Sequence, residues 1–271
     1  MARISNLARA RAFNLGKGPP LPDAGLDAEG RPDAAAGLGR LRPRITGQQV
    51  YEDLHGRIVR GELRPGDALY ETRVAESFGL SRTPVREVFW RLGEDGFLRV
   101  LPQVGTFVAP INIPAVYDAQ FIRETLECRA VADAARHVAA GKVAVGGLAL
   151  GLAAQRDAMA RRDFPAFFAL DEAMHRALMG MAGRPFVWSV ITGAKAQLDR
   201  VRFLSLEDEA WPDMILQQHA AIVDRVGAGD AEGAVRVMTA HLRTAFAAIG
   251  RITEAHADFF EGHPTQPNEA Y

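Results

Sequence analysis

The chain has 271 residues, a length that fits two domains of ordinary size, and its 48% apolar content provides for a sizeable core. Its formal net charge of −1 excludes a global basic field for nucleic-acid binding, so any such contact must come from a local cluster. One cysteine, Cys128, excludes an intrachain disulfide and makes a reducing, cytoplasmic setting the expectation. No apolar run approaches the roughly 20 residues of a membrane span, and Arg3, Arg9 and Arg11 are followed by no apolar stretch of a signal peptide.

Residues 1–45 hold 8 Lys and Arg against 4 Asp and Glu, and are rich in Gly, Pro and Ala without sustained apolar periodicity. They read as a disordered tail. From Thr46 the pattern changes. Thr46 is a capping residue, and Val50, Leu54, Ile58 and Val59 recur at helical spacing up to Gly61. Leu63-Arg64-Pro65-Gly66-Asp67 is a turn, a short helix follows over about 71–78, and a third runs from a Ser81 cap to about Asp95. Phe97–Val100 and Thr106–Val108 are two short β runs flanking a hairpin loop that ends at Gly105. Three helices and a β-hairpin make a winged helix-turn-helix over residues 46–110.

From Ile111 onward every long segment is helical. The expected spans are 114–140, 145–162, 164–182, 185–206, 208–227 and 231–260, with Gly141, Gly183 and Gly229 at breaks. The fold class is therefore mainly α: the winged head, then an antiparallel helical bundle over 112–260. Residues 261–271 form a C-terminal tail.

Arg82, Thr83 and Arg86 occupy the first turns of the third helix, and Arg82 and Arg86 lie on one face. N-terminal residues of a recognition helix reach base edges in the major groove, where arginine reads guanine bidentately. Ser81 is expected to cap this helix and lie near a phosphate, Arg73 to touch the DNA backbone, and Gly105 to let the wing approach closely. Two arginines alone read more readily as a solvated face; the whole arrangement favours DNA.

In the bundle, Asp171 and His175 interrupt a stripe formed by Phe168, Leu178 and Ala182. His219 sits among Ile215, Ile222 and Val223, and His241 among Val237, Met238 and Ala245. Four polar groups on three apolar faces need partners, because an unpaired buried polar group is costly. Separate hydrogen bonds would satisfy each; one shared divalent metal would satisfy all four, and an Asp/His3 set is compatible with Zn, Mn, Ni or Fe. Arg123 carries a planar fork that takes a carboxylate bidentately, with a salt bridge to Glu127 one turn on as the alternative.

Residues 48–110 resemble the GntR family of bacterial regulators. The motifs are Gly61-Glu62-Leu63-Arg64-Pro65-Gly66-Asp67, Val74-Ala75-Glu76, Ser81-Arg82-Thr83-Pro84-Val85-Arg86-Glu87, Asp95-Gly96-Phe97-Leu98 and Gly105-Thr106-Phe107-Val108. By this resemblance Arg73, Arg82, Thr83, Arg86 and Gly105 fall on DNA-contact positions. Tyr70-Glu71 departs from the family, which more often has Ser or Pro before Glu. Asp171-x3-His175 with His219 and His241, Gly227-Ala228-Gly229-Asp230-Ala231 and Ile122-Arg123-x3-Glu127 resemble the FCD-type ligand-binding domain of the FadR-like subfamily; Arg184 departs, where Asn is common. The resemblance implies a bundle around a metal and a small carboxylate effector, with Arg123 the candidate to pair with it. It also implies a homodimer reading a near-palindromic double-stranded operator, and no enzymatic activity. A metallo-hydrolase and a ligand-free architectural DNA binder are the competing readings; the first leaves the head unexplained, the second the Asp/His set.

Overall fold

A computed structural model describes residues 45–207 and 211–261. The expected N-terminal and C-terminal tails lie outside the described residues, apart from their innermost positions.

Helix α1 (Gly47–Val59) starts where a capping box closes: the Thr46 hydroxyl accepts from Gln49 N at 3.3 Å, and Thr46 N donates to Gln49 Oε1 at 2.8 Å. Its apolar stripe of Val50, Leu54 and Ile58 is buried. Helix α2 (Glu71–Phe78) ends at Gly79, and α3 (Arg82–Glu94) buries Val85, Val88, Phe89 and Leu92 against both. Fully burying each such side chain stabilises the head by roughly 1.5–3 kcal/mol. Ser81 stands at the N-cap of α3, but its hydroxyl makes no capping bond.

Three strands complete the head. β2 (Leu98–Leu101) and β3 (Gly105–Val108) form the expected hairpin. A third strand, β1 (Ala68–Leu69), was not expected; it pairs antiparallel with β3, Ala68 opposite Phe107, giving the order β1-β3-β2. Two residues carry no alternation, and only the distant partner makes them a strand.

The bundle is α4 (Ile113–Ala139), α5 (Gly146–Ala160), α6 (Phe164–Met181), α7 (Val187–Ala194), α8 (Ala196–Leu204), α9 (Trp211–Gly227) and α10 (Ala231–Ala255). Asn112 caps α4 by accepting from Ala115 N at 2.9 Å. α4 packs along α10, α5 pairs with α6, and α9 lies against α4, α5 and α10. Gly229 turns the chain into α10 with φ +70°, and a Cβ there would stand 2.7 Å from the Ala139 Cβ, so glycine is required twice over.

Two expected spans need correction. The helix over 185–206 is two helices, broken at Lys195. Gly193 weakens the helix by about 1 kcal/mol relative to Ala, and the break turns α8 inward so that most of its residues are buried. A helix buried on all sides has no amphipathic stripe to read. The last helix stops at Ala255, not 260; a 3₁₀ turn over Ala257–Phe259 follows. Phe260 then bridges to Ile111, and Phe259 packs under Gly61 of the head.

The bundle core is divided into clusters. Phe167, Ile215 and Ala245 belong to one; Leu178, Ile222 and Met238 belong to another. On α6, α9 and α10 alike, a histidine falls between a residue of the first cluster and a residue of the second.

Candidate metal centre and DNA-reading helix

Ser81, Arg82, Thr83 and Arg86 are all exposed at the N-terminal end of α3, with the Arg82 and Arg86 side chains 59% and 68% accessible. Val85 and Val88 on the opposite side anchor them to the core. Both guanidiniums reach the same Glu71 oxygen, each at 3.4 Å. Glu71 was not among the residues expected from sequence; its ties span 11 and 15 residues, beyond any helical spacing. Arg73 is directed elsewhere, with its guanidinium 5.1 Å from the Tyr70 ring centre. Gly105 opens β3 in the wing with φ +147°, a conformation that side chains disfavour.

In the bundle, Asp171, His175, His219 and His241 are buried and converge: one ligand atom from each lies within 4.8 Å of all the others. α6 supplies the first two one turn apart, α9 and α10 the others. His175 Nε2 and His241 Nε2 are 3.2 Å apart, and His219 Nε2 lies 3.2 Å from Asp171 Oδ1.

Each histidine is oriented through its other nitrogen. His175 Nδ1 meets Glu127 Oε2, His219 Nδ1 meets Gln155 Oε1 at 2.7 Å, and His241 Nδ1 meets Gln218 Oε1 at 3.0 Å. Gln155 is fixed by its amide donating to Leu170 O at 3.2 Å, and Gln218 by donating to Thr244 Oγ1 at 2.8 Å. With Nδ1–H donating, the tautomer leaves a bare lone pair on Nε2. Two lone pairs then face each other at 3.2 Å, an arrangement that repels without a cation between them. The donor set and its orientation fit a divalent metal.

Electrostatics agrees. Burial pushes His219 and His241 down from the ordinary imidazole range, His241 further because His219 and His175 stand beside it. Both are held in the neutral form that ligates. Burial alone would raise the Glu127 carboxyl, but Arg123 and His175 outweigh it and bring it down to about 2.

Arg123 is buried, and its Nε donates to Glu127 Oε1 at 2.6 Å while Nη2 has no hydrogen-bond partner. It lines a cavity of about 30 Å³ together with Asp171, Arg202 and His241. Arg202, from α8, was not expected. Its Nη2 bonds Asp171, and its Nη1 bonds Glu172 at 2.6 Å and Asp199 at 2.9 Å. His137, by contrast, is singly satisfied: its Nδ1 lies 2.8 Å from Met181 O.

Known proteins share both parts of this architecture. Residues 46–108 match the bacterial regulatory proteins of the gntR family, and residues 118–244 match the FCD domain. An uncharacterized HTH-type transcriptional regulator in an unstable DNA locus of Streptomyces ambofaciens is 37% identical over 228 residues, covering 82% of this chain and 93% of that protein. The HTH-type transcriptional repressor RspR of Escherichia coli K12 is 34% identical over 213 residues, covering 79% and 92%. Among solved structures, E. coli McbR/YncC has a TM-score of 0.65 at 22% identity over 76% of this chain and 97% of that one. A GntR transcriptional regulator of Rhodococcus sp. RHA1 has 0.64 at 22% over 77% and 98%. These two share the fold. The chain belongs to the GntR family of DNA-binding transcriptional regulators, with a winged helix-turn-helix head and an FCD domain, and is a regulator rather than an enzyme.

Proposed function

We propose that the chain controls transcription from a near-palindromic operator as a homodimer, and that a small carboxylate, bound beside a divalent metal in the FCD domain, sets its DNA affinity. In this reading residues 46–110 are the reading head and 112–260 the sensor. Asp171, His175, His219 and His241 hold the metal, which supplies open coordination positions for a carboxylate; Zn, Mn, Ni and Fe all suit these ligands. The observation that carries the reading is the convergence of the four ligands between two apolar clusters, each imidazole oriented by its own acceptor. Arg82, Thr83 and Arg86 read bases, while Ser81, Arg73 and Gly105 approach the backbone.

Helix α8 supports communication between the two parts. Arg202 on this helix bonds Asp171. Gln197, on the same helix, donates to Gly96 O of the head at 2.8 Å, and Arg200 donates to Ala109 O at 2.9 Å. A ligand that alters the Arg202–Asp171 contact shifts a helix that the head rests on, and it controls DNA binding only through its differential affinity for the two positions.

One head reads only a few base pairs, so two are needed for a near-palindrome. Exposed Phe121 on α4, Phe186 at the N-cap of α7 and Val190 on α7 offer apolar surface to a second copy. No helix among the described residues is long and apolar enough to cross a membrane, and an operator target places the work in the cytoplasm.

The test is elemental analysis of protein purified without a metal-affinity tag, followed by operator gel shifts of the metal-loaded and chelator-stripped protein across a panel of small organic acids. About one metal per chain, and an acid that changes operator affinity only in the loaded protein, are expected. A metal-free native protein that answers the same acids equally well overturns the reading.

A further inference from the structure

We infer that the sensor cavity accepts a short monocarboxylate and rejects dicarboxylates, with Glu172 as the residue that sets this preference. The inference rests on the metal-and-effector reading above and deepens it. It comes from counting which cationic donors around the cavity are already engaged.

Two arginines line the cavity. Arg202 is engaged on both of its Nη atoms by three carboxylates, Asp171, Glu172 and Asp199. The Phe168 ring backs it, with a centre 4.9 Å from the guanidinium carbon. Lys195 beside it is shared by Glu172, at 2.6 Å, and Asp199. Neither cation has charge to spare for a ligand. Arg123 differs: Glu127 takes its Nε, and its buried Nη2 has no partner. One cationic donor edge is therefore open.

Formal charge leads to the same count. Arg123, Lys195 and Arg202 stand against Glu127, Asp171, Glu172 and Asp199, leaving one negative charge that a divalent ion turns into one positive. A single carboxylate neutralises the site. A second would be buried without a partner, which is strongly unfavourable. The remaining wall is apolar, including Phe167, Leu206, Trp211 and Ile215, and offers a second carboxylate nothing. The cavity is small, about 30 Å³, which favours a short ligand over a long one.

Glu172 decides the count because it touches both Lys195 and Arg202 and is not among the four converging metal ligands. Replacing it with glutamine keeps the shape and removes one negative charge. The variant then has room for one more carboxylate.

The experiment uses the full chain, stripped with chelator and reloaded with Mn²⁺. Thermal melts are recorded with Mn²⁺ alone and with length-matched pairs of acids, propanoate against malonate and butanoate against succinate. Mn²⁺ alone is expected to raise Tm. At a hundredfold excess over Kd the monocarboxylate should add a further rise of about 5 °C or more, with its dicarboxylate partner binding at least about tenfold more weakly. In Glu172→Gln the dicarboxylates should gain a shift. A dicarboxylate that stabilises the native protein as well as its monocarboxylate partner overturns the inference and leaves the effector reading standing. A Glu172→Gln protein that folds, still takes Mn²⁺ and still ignores dicarboxylates overturns the role of Glu172. If Mn²⁺ raises Tm but no acid of either kind does, the effector reading falls and the inference with it. If Mn²⁺ does nothing, the metal reading falls. Should Glu172→Gln not fold, the native panel decides alone.

Discussion

Glu127→Gln tests the proposed metal centre without touching a proposed ligand. In the native protein the carboxylate is 1% exposed and accepts from two donors, Arg123 Nε at 2.6 Å and His175 Nδ1. Glutamine keeps the shape but turns one oxygen into an NH2 group. Arg123 cannot give up a proton, so the amide oxygen must face Arg123 and the NH2 must face His175. His175 Nδ1 then has to accept, and its proton moves to Nε2, the atom aimed at His241 Nε2 across 3.2 Å. A protonated Nε2 cannot ligate. Loss of such an orienting partner costs about 10–100-fold in metal affinity. Breaking a buried ion pair costs about 3–5 kcal/mol, and at about 2–4 °C per kcal/mol for a chain of this size the melting temperature should fall by at least about 6 °C. Calorimetric titration of chelator-stripped protein with Zn²⁺ measures the first quantity, and melts with and without metal the second. Glu124→Gln is the control, since that exposed pair with Arg243 is worth at most about 1 kcal/mol. Zn²⁺ affinity within about threefold of native, together with an unchanged melt, would refute the tautomer argument.

Arg86→Ala should leave the melt unchanged and weaken specific operator binding by about 1–3 kcal/mol per half-site; gel-shift titration showing native affinity and native sequence preference would remove Arg86 from base reading. Leu54→Ala, at a fully buried position of the head, should destabilise by about 2–5 kcal/mol in denaturant melts, and a cost under about 1 kcal/mol would mean that the head core collapses around the gap. Acid should weaken the metal-free protein in a defined window. The Glu127 carboxyl lies at about 2 in the folded chain against 4.5 ordinarily, so its contribution is complete above about pH 4.5 and disappears as pH falls towards 2. Glu127→Gln should show a flatter acid limb in the same melts; parallel limbs would mean that this carboxyl is not the source.

The parts that were legible in the sequence are those where one helix face carries the signal. Thr46 with Gln49 and the 50/54/58 stripe mark α1 because capping and burial are both local. Asp171 and His175 stand out because they break an apolar stripe at a one-turn spacing. The same signal was present at Gln155, which interrupts Leu148, Leu152 and Ala158 on α5, and it identifies an acceptor for His219. β1, Glu71 and Arg202 were not legible. Each is defined by a partner far along the chain: β1 by β3, Glu71 by two arginines on another helix, Arg202 by Asp171, 31 residues away. Arg202 has a second disguise, because α8 is buried on nearly every side and its charged residues follow no stripe.

Arg123 shows why sequence could pose a choice that the fold does not make. A salt bridge to Glu127 and a role towards a carboxylate read as alternatives when a side chain is counted as one charge. A guanidinium is a planar fork with five N–H donors, so one pairing does not exhaust it. Glu127 takes Nε, fixing the plane of the fork, while Nη2 is left buried and unpaired in a residue that lines the cavity. An orphaned charged donor is unfavourable in the interior, and in the proposed reading an incoming carboxylate offsets that cost. The same Glu127 carboxylate also orients His175, so a single buried acid aligns a proposed metal ligand with one oxygen and the open arginine with the other. A change at Glu127 therefore reaches the metal and the carboxylate edge together, whereas Arg123→Lys, which keeps the charge but loses the fork, should spare metal binding and remove the response to acids. Equal loss of both in Arg123→Lys, read by Zn²⁺ titration and by melts with propanoate, would mean that the arginine serves only to hold Glu127 in place.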